Sequence, residues 1–348
     1  MPRTITIVLA LVAALSLASC SEPEPEVKVT EASGQTMGTY YKVTVYGDSP
    51  VDEEELKELA EEAFQQVIDA ISTFDGNSEI SRFNKRDSTE PMLISPYLAD
   101  VIEYGRKMSI ELEGTMDFTV SPLVDLWGFG PLGKYTTIPT DEQIREVLAY
   151  VGFEKYELER THEGKAFLVK KDPRVQLDLS TIGEGLGVDL VYDRLFELGA
   201  RNFLISVAGA SKGVGVNAKG VPFRIGIEQP STDGSGRAVH TVVCPNGMAM
   251  STAGSYRNFY EEDGKYYSHV IDPLTGRPVD HKTVSVTVID RSAMITDAID
   301  TGLMVMGAQK ALEWADMHEK AIFVIEVDDD GNFVANHSPA FEQYLKCK

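Results

Sequence analysis

Cysteine is scarce in this chain, with only Cys20, Cys244 and Cys347 in 348 residues. They form no CxxC, no Cys/His cluster and no paired framework, which supports neither a zinc site nor a disulfide scaffold, and Cys244 reads as a buried apolar filler ahead of a nucleophile. Positive charge is short as well: 32 Lys and Arg stand against 54 Asp and Glu, a formal net charge of −22. That balance argues against a nucleic-acid partner and against electrostatic adhesion to anionic lipid. An anionic ligand would need a bound cation or focused donors. Long apolar runs are missing too, since the one from Ile5 to Leu17 falls short of the roughly 20 residues a spanning helix requires. No internal repeat or second linker breaks the body of the chain.

The first residues are informative. Met1-Pro2-Arg3, the apolar run and then Leu17-Ala18-Ser19-Cys20 have the parts of a secretory signal in order. The small residues before Cys20 resemble the lipobox of bacterial lipoproteins, in which the cysteine becomes the lipidated first residue. Residues 1–19 therefore read as a signal peptide. Behind them Ser21 to Gly34, with Glu and Pro alternating from Glu22 to Glu26, cannot bury apolar surface, so 20–34 is expected to be a flexible tether. Residues 35–348 are long enough for one sizeable core, or two lobes sharing it.

Within that body Thr39–Tyr46 alternates as a strand, and Asp52 with Glu55 forms a capping box ahead of a helix. Ser95-Pro96 and Thr140 with Gln143 start further helices that Gly114 and Gly152 end. Strands are expected at Phe203–Val207, Phe223–Ile227, Thr283–Ile289 and Ala321–Val327, and helices at Ile182–Leu198, Thr296–Met306 and Ala308–Glu319. Several strands succeed one another without a crossover helix, so the pattern predicts an α+β fold of mixed, largely antiparallel sheets with packed helices. Gly128, Gly130 and Gly133 satisfy G-x-G-x-x-G spacing. Pro131 and Lys134-Tyr135-Thr136-Thr137 do not start a helix whose N-terminus could meet a pyrophosphate, so a dinucleotide-binding turn is not expected there.

Three segments carry candidate chemistry. In Thr296-Asp297-Ala298-Ile299-Asp300-Thr301, Asp297 and Thr301 are four apart on one helix face with Asp300 beside them. Two carboxylates and a hydroxyl make a hard oxygen site suited to magnesium, or else a helix cap with a dipole-favoured acid. In Leu177-Asp178-Leu179-Ser180-Thr181-Ile182-Gly183-Glu184-Gly185 a strand ends in an acid and hydroxyls before a glycine-rich turn, which lets backbone approach a ligand. In Ser268-His269-Val270-Ile271-Asp272-Pro273 a histidine precedes a turn; it is either structural or a base for an alcohol near neutral pH.

Together with Thr36-Met37-Gly38-Thr39, Ser72-Thr73-Phe74, Ser78 to Asn84, Met116 to Val124, Leu126 to Gly130, Ser251 to Arg257 and Asp297 to Gly307, these segments resemble in order the ApbE family of FAD:protein FMN transferases. The resemblance implies a magnesium-dependent enzyme with FAD bound in a cleft between its lobes. It implies that Met37, Phe74, Thr115, Met116, Asp117, Asp178, Glu184 and Ile271 hold the flavin nucleotide. It also implies that Thr181, through its backbone carbonyl, joins Asp297, Asp300 and Thr301 around the metal, and it makes His269 the candidate base. Two departures stand out: many relatives have lysine where this chain has Glu184, and Ala208-Gly209-Ala210 replaces a Gly-Gly pair often followed by an acid.

The expected reaction is magnesium-dependent transfer of FMN from FAD to a threonine or serine hydroxyl, with release of AMP. An FAD pyrophosphatase and a non-catalytic flavin-binding lipoprotein remain alternatives. The expected partner is a hydroxyl-bearing subunit of a membrane redox complex. The expected location is the periplasmic side of the inner membrane, held by lipid on Cys20.

Overall fold

A computed structural model describes residues 27–130, 137–230, 238–255, 259–262 and 264–347. Its frame is one eight-stranded antiparallel sheet in which chain order and spatial order coincide. The strands are β1 (Val29–Thr36), β2 (Thr39–Tyr46), β3 (Phe203–Val207), β4 (Ala210–Val214), β5 (Ala249–Gly254), β6 (Thr283–Asp290), β7 (Ala321–Val327) and β8 (Phe333–His337). Five helices matter to the site: α1 (Glu53–Ile71), α2 (Pro96–Glu111), α3 (Gly183–Glu197), α4 (Ala293–Met306) and α5 (Ala308–Met317).

Local chemistry sets most of these boundaries. Asp52 accepts from Glu54 and Glu55 while Glu55 reaches back, so the capping box opens α1 as expected. Met37 and Gly38, at φ 48° and 76°, make the two-residue turn that joins β1 and β2. Ser95 caps α2 with Pro96 behind it, and Gly114 at φ 83° lies beyond its end.

A second, mainly helical lobe is built from α2, the short helix Glu79–Asn84 and a three-stranded sheet of Met92–Ile94, Ala166–Lys170 and Tyr156–Arg160. One apolar core runs from its Phe83 and Leu168 to Leu303 and Val286 under the main sheet, so the lobes share it. Helices α1 and α3 cover the β1–β4 end through Phe64, Val188, Val191 and Ile205. The other sheet face carries a smaller cluster around Ile227, Val243, Phe323 and Phe341, where the hairpin Ile225–Glu228/Val239–Val243 packs. Among the described residues no helix is long and apolar enough to cross a membrane.

Four expectations need correction. Residues 29–34 are not tether: they belong to β1, which buries Thr30 and Ala32 and pairs with β2 from Val29↔Tyr46 to Thr36↔Thr39. Alternation too weak to mark a strand suffices once a strong neighbour supplies the hydrogen bonds. Helix α4 begins at Ala293, one turn before Thr296, because Ser292 is the N-cap and accepts from the N–H of Ile295, while the Thr296 hydroxyl donates to the Ala293 carbonyl inside the helix. Asp178 ends no strand; its Oδ1 accepts from the N–H and hydroxyl of Ser180 at 2.8 and 2.5 Å.

The fourth concerns cysteine. Cys244 and Cys347 form a disulfide with Cα atoms 5.4 Å apart across 103 residues of sequence. No local spacing marks such a pair. It is created by Phe341 and Tyr344 docking on the sheet, which brings the Tyr344 carbonyl to the Cys244 N–H at 2.9 Å. Cys20 and the Glu/Pro run through Glu26 lie outside the described residues, as does Gly133. Gly128 and Gly130 come after the short helix Ser121–Leu126, and Pro131 to Thr136, which follow them, lie outside the described residues.

Candidate functional site

A cleft of about 730 Å³, a size suited to a cofactor, opens between the helical lobe and the sheet. Its most buried chemistry is on α4. Asp297 and Asp300 are 7% and 2% exposed, and Thr301 shares their helix face. They lie in the second turn, and the cap is Ser292, so Asp297 is neither a cap nor a surface acid at a helix start. Two supports fix the Asp297 carboxylate: Ser251 Oγ from β5 donates to Oδ1 and the Gly185 N–H from α3 donates to Oδ2, both at 2.7 Å. Thr301 Oγ1 donates to Asp300 Oδ1 at 3.2 Å.

Burial governs the titration of the pair. It raises Asp297 to about 8, with the Glu184 charge adding to the rise and the Ser251 and Gly185 hydrogen bonds opposing it. Asp300 is pushed well above the usual carboxylate range by burial and then by Asp297. Thr181 lines the same cleft with a buried hydroxyl that has no hydrogen-bond partner. Two crowded carboxylates and unsatisfied hydroxyl oxygen suit a hard divalent cation, which would remove the repulsion between them. Among the described residues no three His, Cys, Asp or Glu side chains form a metal-holding group, so such an ion would rest on two acids and neutral oxygens.

The helical-lobe wall carries the nucleotide candidates. Ser72 Oγ accepts from the N–H groups of Phe74 and Asp75 at 3.2 and 3.1 Å, and Ser78 and Ser81 both donate to the Ser72 carbonyl. That pinned loop leaves the Phe74 ring 75% exposed at the cleft, a free face for a planar ligand. Thr115, Met116 and Asp117 lie deeper. Asp117 Oδ1 accepts the N–H and hydroxyl of Thr119, both at 2.8 Å, yet burial still raises it to about 6.

His269, Val270, Ile271 and Pro273 close another side, with the imidazole edge-on to Phe129 at 6.4 Å. Trp127 Nε1 donates to the Gly276 carbonyl at 2.8 Å, tying the turn after Ile271 to the Leu126–Gly130 segment. Gly276 must be glycine there, because at φ 69° a Cβ would meet Ile144 at 2.7 Å. Glu184 opens the α3 side and accepts from the Gly209 N–H at 3.2 Å. The two departures noted in the sequence therefore meet in one contact. Ala208 beside it takes φ 44°, a conformation that favours glycine.

The cleft thus gathers Phe74, Thr115, Met116, Asp117, Asp178, Glu184 and Ile271, the cation candidates Thr181, Asp297, Asp300 and Thr301, and His269. It does not gather Met37. That side chain packs instead against the glycine face of α3, its Sδ 3.6 Å from where a Gly183 Cβ would lie. Sequence reasoning missed the roles of Ser251 and Gly185, whose segments it quoted without assigning them work. It also missed Arg224 and Glu228 on the hairpin wall. Among the described residues Arg224 is the lone arginine or lysine on a lining that holds six carboxylates, Asp117, Asp178, Glu184, Glu228, Asp297 and Asp300.

Comparison with known proteins gives a consistent picture. Residues 37–325 match the ApbE family. The FAD:protein FMN transferase of Vibrio cholerae serotype O1 is 40% identical over 339 residues, covering 97% of this chain and 98% of that protein. That of Haemophilus influenzae is 40% identical over 351 residues and covers 100% of both. Among solved structures, the flavin transferase ApbE from Vibrio cholerae superposes with a TM-score of 0.83 at 37% identity, over 92% of this chain and 100% of the other. The apo form of the Pseudomonas stutzeri flavinyl transferase ApbE gives 0.82 at 34% identity, over 92% and 97%.

Proposed function

The chain belongs to the ApbE family, and from that premise we propose that it is an FAD:protein FMN transferase that joins FMN to a threonine or serine hydroxyl of an acceptor protein. In the balanced reaction the acceptor oxygen attacks the flavin-side phosphorus of FAD, the bond to the bridging oxygen breaks, and AMP leaves. The observation that carries this reading is the buried Asp297–Asp300 pair facing the same cleft as His269 and the exposed Phe74 ring.

The donor set fits magnesium: two carboxylates raised by burial, the Thr301 hydroxyl, and Thr181, whose hydroxyl is buried without a partner and whose backbone carbonyl is the oxygen that the family resemblance brings to the metal. Bound there, the ion would supply screening of the diphosphate and orientation of the reacting phosphorus. Phe74 offers a stacking face to the flavin, and Asp117, buried deeper on the same wall, offers a carboxyl oxygen to a ring N–H. His269 takes the proton of the incoming hydroxyl, a role that suits an imidazole near neutral pH. The test is incubation of enzyme, FAD and magnesium with an exported flavoprotein domain, followed by mass spectrometry. FMN on one hydroxyl and an equal yield of AMP are expected. AMP with free FMN and no adduct would make the protein a pyrophosphatase instead.

The acceptor we propose is a periplasm-facing subunit of an inner-membrane redox complex, with this enzyme anchored beside it by lipid on Cys20. Support comes from the signal-like segment before Cys20 and from the Cys244–Cys347 disulfide, a bond typical of oxidising compartments. Cys20→Ser should move the protein from the membrane to the soluble fraction. Retention in the membrane with no change in mass would refute the anchor.

A further inference from the structure

Behind the cleft, and not on its lining, a buried ion pair connects three elements. Asp189 lies on α3, one turn beyond Gly185, and its carboxylate collects donors from two other elements. Lys212 Nζ of β4 reaches Oδ1 at 2.8 Å. Ser292 Oγ and the Met294 N–H, both at the start of α4, reach Oδ2 at 2.6 and 3.1 Å. The Lys212 and Asp189 side chains are only 10% and 19% exposed, and Lys212 Nζ also sits 4.1 Å from the Tyr192 ring centre. Removing one member would leave the other enclosed without its counter-charge.

The geometry at the helix start is specific. Ser292 is the N-cap, and its Oγ accepts from the Ile295 N–H at 3.3 Å. Donating its own proton to Asp189 leaves a lone pair directed at the helix. The Met294 N–H is among those that a helix start leaves without an internal partner, and Asp189 supplies one. One carboxylate thus fixes both where α4 begins and how it is rotated. Rotation is what matters for Asp297 and Asp300, because each residue of a helix turns by 360° divided by 3.6.

We propose that Asp189 is a positioning residue for the cation site: the Asp189–Lys212 pair fixes the start of α4 so that Asp297 and Asp300 face one divalent cation. Lys212 cancels the charge that Asp189 would otherwise place behind them. The inference rests on the cation reading above.

The test uses full-length protein without FAD and Mn²⁺ as the probe, with binding read by calorimetry and paramagnetic resonance. Two double variants, Asp189→Leu with Lys212→Met and Asp189→Asn with Lys212→Met, both keep the pair's net charge at zero. Only asparagine keeps an acceptor oxygen for Ser292 and Met294. The leucine form should bind Mn²⁺ about tenfold more weakly or worse, and the asparagine form should stay within about threefold of the parent. Parental affinity in both would overturn the proposal. Should the leucine form not fold, Ser292→Ala answers the same question. It deletes the hydroxyl between Asp189 and the helix while leaving the ion pair, and unchanged Mn²⁺ affinity there would overturn the proposal equally. If the parent itself takes up no Mn²⁺, the cation reading fails and carries this inference with it. A parent that binds beside unshifted variants sinks the positioning role alone.

Discussion

Both oxygens of the Asp297 carboxylate already accept hydrogen bonds, yet burial and the Glu184 charge keep its proton bound up to about 8. Because this folded value lies above the ordinary 3.8, the folded protein holds a proton that the unfolded chain has lost. Metal-free stability should therefore fall as pH rises from the ordinary carboxylate range towards about 8. Asp300 and Asp117, both raised, act in the same direction. Denaturation of chelator-treated protein at pH 5 and pH 8 should show the loss, and magnesium should reverse it at pH 8. Asp297→Asn should flatten the profile, abolish the response to magnesium and stop FAD cleavage. Equal stability of the parent at both pH values would contradict the assignment. The candidacy of Asp297 was legible in the spacing of Asp297, Asp300 and Thr301. Its burial was not, because that comes from Ser251 and Gly185, 46 and 112 residues away in sequence.

Helices α3 and α4 cross where Gly185 meets Ala293. A Cβ on Gly185 would lie 2.2 Å from the Ala293 carbonyl oxygen and 2.6 Å from the Met294 nitrogen, backbone that cannot yield as a side chain would. Gly185→Ala should therefore separate the helices, costing about 1–3 kcal/mol and most of the cation affinity. Thermal melting and Mn²⁺ titration would register both, and a fully active, unshifted variant would mean the crossing relaxes cheaply. Elements with self-contained signals were readable in advance: the capping box of α1, the Ser95-Pro96 start of α2, the alternation of β2. Strand β1 was not, since its residues are polar and earn their place only by pairing with β2. The start of α4 was misjudged for a related reason, as Ser292 is chosen over Thr296 by Asp189 on another helix.

At the scale of the whole molecule, the Cys244–Cys347 bond ties the C-terminal segment to the sheet across 103 residues. A closed loop of that size restricts the unfolded chain, so replacing both cysteines by serine should lower stability by about 2–4 kcal/mol. Denaturation with and without reductant measures this. Identical curves would show that the thiols are not joined in solution. FAD cleavage well below the melting temperature should persist, because neither sulfur borders the cleft. The cation candidates themselves are also a long-range assembly: Thr181 precedes α3, while Asp297, Asp300 and Thr301 lie on α4, beyond strands β3 to β6 of the main sheet. An unfolded chain therefore offers no preformed pocket to any ion. If the protein crosses its membrane unfolded, the metal it acquires is decided by what is dissolved where it folds. In that case cytosolic pools of tighter-binding transition metals would have no chance to occupy it.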